Sequence, residues 1–181
     1  MSTRKTDPLL LAGRILTLIM QGFMAIAGLA LAIAIPFVIF MRDKINSELI
    51  AEKGPDVLPF PTLQIALLML LALGAVYLVF RFFGNLRKII ATVGEGDPFV
   101  PENADRLTQM AWLLTGVYGL AIAMGLVAIS VAKWAKTLGE TDFHFATGFD
   151  LSAILTIIIL FILARVFRKG TEMREDLEGT V

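Results

Sequence analysis

The chain has 181 residues, 57% of them hydrophobic and 18% charged, and its Lys and Arg balance its Asp and Glu to a formal net charge of zero. A soluble domain carries roughly 45–50% apolar and about 25% charged residues, so this excess, gathered into four long blocks, marks an integral membrane protein. The neutral total gives no ground for direct nucleic-acid binding. The lack of cysteine excludes disulfides, thiolate catalysis, iron–sulfur clusters and cysteine-based zinc sites.

Arg4 and Lys5 precede a first apolar block at 15–40, a pattern also seen in secretory leaders. The block is about 26 residues long, beyond the roughly 7–15 of a leader's apolar region. It is followed by Phe40-Met41-Arg42-Asp43-Lys44 rather than by a small-residue cleavage site, so it is read as an uncleaved first span. Gln21 is the strongest polar group within it, expected to bond to another helix rather than to a ligand. Pro36 is expected to bend the last turn.

The second span is placed at 63–83. Leu86, Ile89, Ile90 and Val93 then recur at i, i+3, i+4 and i+7, so the helix is expected to continue below the membrane with one apolar face. Gly94-Glu95-Gly96-Asp97-Pro98-Phe99 breaks it, and Pro101 is expected to keep the chain extended. Asn103 is a candidate cap for a helix starting near Ala104 and running into the third span. The Gly-Glu-Gly-Asp stretch lacks the lysine and spacing of a phosphate-binding loop.

The third span is placed at 110–132. Trp112 and Trp134 stand 22 residues apart, or ~33 Å along a helix, which suits the two interfacial aromatic belts. Small residues let helices approach closely in lipid. Gly28 with Ala32 on span one, and Gly116, Ala121 and Gly125 on span three, are the candidate packing positions. They suit a face between those two spans or a homodimer face, although Gly and Ala are also common in membrane helices generally. The fourth span is placed at 149–167. Its run Ile154-Leu155-Thr156-Ile157-Ile158-Ile159-Leu160-Phe161 is apolar almost all round. His144, with Asp142 and Asp150, is thin material for a metal or proton sensor, and an ordinary exposed loop is the preferred reading.

Eleven Lys and Arg (Arg4, Lys5, Arg14, Arg81, Arg87, Lys88, Arg106, Arg165, Arg168, Lys169, Arg174) fall on the side of the N-tail, the 84–109 loop and the 168–181 tail. Five (Arg42, Lys44, Lys53, Lys133, Lys136) fall on the other. The positive-inside rule then puts both termini and the middle loop in the cytoplasm. The fold class expected is an all-α membrane protein: one four-transmembrane-helix bundle, N-in and C-in, with cytoplasmic helical extensions of spans two and three.

No Asp, Glu, Lys or His sits in the middle of a span, which argues against ion-coupled transport. For a transporter or pore, the best polar lining on offer is Gln21, Thr17, Thr115 and Thr156. For a membrane enzyme it is Asp97, Glu102, Asp105 and Arg106, which a solvated loop explains better. No catalytic residue, cofactor or metal site is expected. Asp97, Phe99, Asn103, Met173, Leu177 and Val181 are the candidate partner-binding residues. Met173 and Leu177 share a helical face within a tail otherwise expected to be solvated.

Three segments carry a resemblance: Phe83-Gly84-Asn85-Leu86-Arg87-Lys88-Ile89; Gly96-Asp97-Pro98-Phe99 with Asn103 and Leu107; and the ending from Phe167-Arg168-Lys169-Gly170-Thr171-Glu172-Met173-Arg174 to Leu177-Glu178-Gly179-Thr180-Val181. On these the chain resembles bacterial four-span membrane proteins grouped as domain-of-unknown-function family 2975, although Gly179 departs from that family's usual ending. The resemblance implies a bacterial cytoplasmic membrane protein in contact with the lipid bilayer. Its members often neighbour small helix-turn-helix regulators, which implies such a regulator as a partner. By that analogy the expected function is a non-enzymatic regulatory partner, with a transporter or pore as the alternative.

Overall fold

A computed structural model describes residues 7–139 and 151–178. Helices are the regular elements among them: α1 (Pro8–Phe40), α2 (Arg42–Lys53), α3 (Thr62–Gly94), α4 (Pro101–Thr137) and α5 (Leu151–Glu178). Four of these, α1, α3, α4 and α5, are long and apolar enough to cross a membrane. Their outward residues are apolar: Leu16, Phe23, Ile26, Leu29, Ile158 and Ile159 are all exposed. Such surfaces belong against hydrocarbon rather than water. The protein is thus an all-α, multi-pass membrane protein.

Two local expectations are corrected. Pro101 does not hold the chain extended but opens α4, where its fixed φ and missing N–H fit the first helical position. Asn103 therefore lies inside the first turn and is not the residue before the helix. Over 168–178 the tail is the last part of α5, and its residues 172–177 are exposed. In addition, α2 occupies part of what reads as the first loop. Its apolar positions, Ile45, Leu49 and Ile50, are too few to give a periodic signal, and Gly54 ends it at φ +96° with its N–H on the Ile50 carbonyl at 2.9 Å.

The chain divides into two compact units. The first comprises, among the described residues, 7–25, 78–117 and 151–178. Its core joins Ile89 of α3 to Leu107, Met110 and Ala111 of α4 and to Leu160 and Ala164 of α5, flanked by Leu86, Val93, Leu114, Phe161 and Phe167. The i, i+3, i+7 stripe of α3 is the face that enters this core. Ile90, the remaining member, turns toward α1, where a Cβ added to Gly13 would stand 3.3 Å from its Cδ1.

The second unit comprises 26–77 and 118–139. Trp134 donates its indole N–H to the Leu58 carbonyl at 3.1 Å and meets Phe60 edge-on at 5.6 Å. The Phe60 N–H donates to Asn46 Oδ1 at 2.7 Å, which ties α2 to the segment that follows it. Ala128 and Ala135 of α4 are buried here.

Candidate functional site

The motif Gly96-Asp97-Pro98-Phe99 is built by the way α3 ends. Gly96 takes φ +88°, a left-handed conformation that costs other residues about 1–2 kcal/mol. The Asp97 N–H reaches back to the Thr92 carbonyl and the Gly96 N–H to that of Val93, both at 3.1 Å. This paired closure satisfies two terminal carbonyls and turns the chain sharply. Pro98 then forbids any continuation of the helix.

Asn103 locks the turn from the other side. Fully buried, its Nδ2 donates to Thr92 Oγ1 at 2.7 Å and to the Pro98 carbonyl at 2.9 Å, while its Oδ1 accepts from Arg106 Nη1 at 2.7 Å. The donors and the acceptor of the amide are thus all engaged, as burial requires.

The turn so held grips α5. A Cβ added to Gly170 would lie 2.7 Å and 2.8 Å from two carbons of the Phe99 ring, so the ring occupies the space a side chain would take. The same ring stacks at a tilt on Phe167 with centroids 5.4 Å apart. The Thr171 hydroxyl lies 3.0 Å from the Phe167 carbonyl and 3.3 Å from that of Phe99, sharing its proton between them. Arg174 pairs with Asp97, and Arg168 pairs with Asp105 at 3.3 Å. The two ion pairs are substantially exposed and each contributes roughly 0–1 kcal/mol. Ring packing and the glycine fit are therefore the stronger part of the clasp, and the charges set its register.

Asp97, Phe99 and Asn103 are thus brought together: Asp97 and Phe99 contact this chain's own α5, while Asn103 holds the turn through Thr92, Pro98 and Arg106. Met173 and Leu177 lie on the same helix but stay 57% and 70% exposed, one turn apart. Val181 and the Asp142–His144–Asp150 grouping lie outside the described residues. Of the acidic and basic groups considered for chemistry, Asp97, Asp105 and Arg106 engage the partners named above, and Glu102 is exposed. Among the described residues no three His, Cys, Asp or Glu stand close enough to share a metal ion.

The polar residues inside the spans point at backbone. Thr17, Thr115 and Thr156 donate to the carbonyls of Arg14, Ala111 and Ser152 on their own helices, at 2.7–2.9 Å. Gln21 is buried and donates from Nε2 to the Phe80 carbonyl of α3 at 3.4 Å. Gly84 makes room for it, since a Cβ there would stand 3.2 Å from that nitrogen. Asn85, also buried, donates to Gln109 Oε1 of α4 at 3.3 Å.

Among the packing glycines, Gly116 faces Leu78 of α3, where an added Cβ would fall at 2.9 Å. Gly28 faces Val76 and Leu73, so its close neighbours are on span two rather than span three. Ala32 and Ala121 are exposed, and Gly125 is half-buried.

The clasp residues on α5, Gly170 and Thr171 above all, are not singled out individually by pattern. An isolated glycine in an otherwise helical run is the available signal, because such a glycine weakens a helix and usually has a packing reason.

Residues 48–181 match a family described as "Protein of unknown function (DUF2975)". No curated protein and no solved structure matches the chain.

Proposed function

The chain belongs to the DUF2975 family, and on that footing we propose that it is a non-enzymatic membrane protein that docks a small helix-turn-helix regulator on the exposed stripe of α5. The observation that carries this reading is the clasp. It spends a buried asparagine, an aromatic ring and two ion pairs on holding a short extramembrane helix whose Met173 and Leu177 then remain exposed. Exposed apolar side chains on a rigid helix are what a partner's groove takes up at small entropic cost. The Lys and Arg count supports a cytoplasmic position for both termini, and so for the stripe, in a bacterial cytoplasmic membrane.

The alternative, a small-molecule transporter or pore, would use the polar groups of the spans. The return of Thr17, Thr115 and Thr156 to their own helices, and of Gln21 to the Phe80 carbonyl, favours packing instead.

The test is affinity capture from native membranes with the full chain and with Met173→Glu/Leu177→Glu, which leaves every clasp contact in place. A small helix-turn-helix protein recovered with the full chain and lost, by about tenfold or more, with the double variant is the expected result. Equal recovery with both would remove the stripe from the contact, and recovery of no such protein would remove the regulator.

A further inference from the structure

A groove of about 350 Å³ opens between the start of α1 and the extension of α3, lined by Arg14, Leu18, Arg87, Lys88 and Ala91. A single liquid water takes about 30 Å³, so the space admits a polyatomic group. Three cations converge on it. None of them makes an ion pair with any described residue, whereas Arg168, Lys169 and Arg174 elsewhere in the same unit are all matched with carboxylates. The close approach of Gly13 to Ile90 fixes the two helices side by side, and the small Ala91 leaves the floor open.

Placement narrows the ligand. Arg14 immediately precedes the apolar block of α1, and Leu18 lies one helical turn further on the same face. Arg87 and Lys88 come just after the apolar block of α3, so the groove sits where hydrocarbon gives way to headgroups. A guanidinium offers paired donors matched to phosphate oxygens, and an ammonium adds a compact charge. Basic pockets between membrane helices at this depth suit anionic headgroups.

We infer that Arg14, Arg87 and Lys88 hold the phosphate of an anionic phospholipid headgroup, with an acyl chain running along Leu18 toward the bilayer interior. The assignment is independent of the regulator proposed above. A free phosphate ion would meet the same three cations but would gain nothing from the apolar wall, and the experiment separates the two sources.

The full chain, purified in neutral detergent, is titrated with phosphatidylglycerol or phosphatidylcholine, and bound lipid is counted by native mass spectrometry. The expected result is one phosphatidylglycerol retained per chain and little phosphatidylcholine. Retention falls about tenfold or more in Arg14→Gln/Arg87→Gln/Lys88→Gln. It stays unchanged in Lys133→Gln/Lys136→Gln, which removes two cations of α4 that do not line the groove. The single exposed-site variant Lys88→Gln guards against a folding defect, with an expected loss of about threefold. Equal retention of the two lipids, or undiminished phosphatidylglycerol in both the triple variant and Lys88→Gln, would overturn the site. Displacement of the lipid by millimolar inorganic phosphate would overturn the lipid assignment in favour of a free anion.

Discussion

Asn103 and Gly170 show how much of this site depends on single atoms. Asn103→Leu removes both donors and the acceptor, leaving the Pro98 carbonyl and the Arg106 guanidinium to find other partners. A cost of about 1–3 kcal/mol is expected, read as a lowered unfolding midpoint in detergent micelles. Gly170→Ala places a methyl against the Phe99 ring, which must swing off Phe167 to admit it. Overpacking of this kind costs roughly 1–3 kcal/mol. Because the penalty exists only while the ring is there, Gly170→Ala combined with Phe99→Ala is expected to be markedly less damaging than the sum of the two single variants. Additive losses would mean that the ring does not occupy the glycine's space.

At the scale of elements, one buried amide of α1 adds to the packing on α3 by reaching a carbonyl that Gly84 leaves accessible. Hydrogen bonds between membrane helices average about 0.6 kcal/mol and reach roughly 1.7. Gln21→Leu and Gly84→Ala should each cost that order, and the pair together little more than one, since both remove the same bond. A cycle with no coupling would show that the two sites act separately. The α5 extension offers a second reading at this scale. Its Arg168, Lys169 and Arg174 are tryptic sites on the part of α5 that the 97–105 segment contacts. Phe99→Ala is therefore expected to speed tryptic cleavage there several-fold, and an unchanged rate would show that α5 stands without the clasp.

The elements were legible from sequence to different degrees. The apolar blocks gave the four long helices because lipid demands length and composition that few other structures share. The 86–93 stripe was readable too, since its period of 3.6 is set by a core on one side. The clasp was not. Which loop residue meets which turn of α5 depends on contacts between positions about 70 residues apart, and no local pattern encodes them. Asn103 reads as a helix cap because Asn favours that position. Its burial against Thr92 and Pro98 instead depends on how α3 and α4 converge, which propensity alone does not carry.

For the whole molecule, the sidedness proposed from the Lys and Arg count is open to direct test. The chain contains no cysteine, so single introduced thiols report topology cleanly. In intact cells, Ser47→Cys is expected to react with a membrane-impermeant maleimide, whereas Glu175→Cys reacts only after permeabilisation. The reverse pattern would invert the assignment and place the α5 stripe outside the cell, beyond reach of a cytoplasmic partner.

In the membrane-embedded protein the 97–105 segment is expected to hold α5 in place. The most direct measurement is disulfide formation in native membranes between Phe99→Cys and Gly170→Cys. A Cβ at position 170 would stand 3.5 Å from the first ring carbon of Phe99, near the place a sulfur at 99 would take. The control pairs Phe99→Cys with Lys169→Cys, turned about 100° round the same helix. Rapid crosslinking of the 99–170 pair under mild oxidation, at least tenfold faster than the control, is the predicted result. Comparable rates for the two pairs, or no crosslink in either, would contradict the account and leave α5 without the support on which its proposed docking role depends.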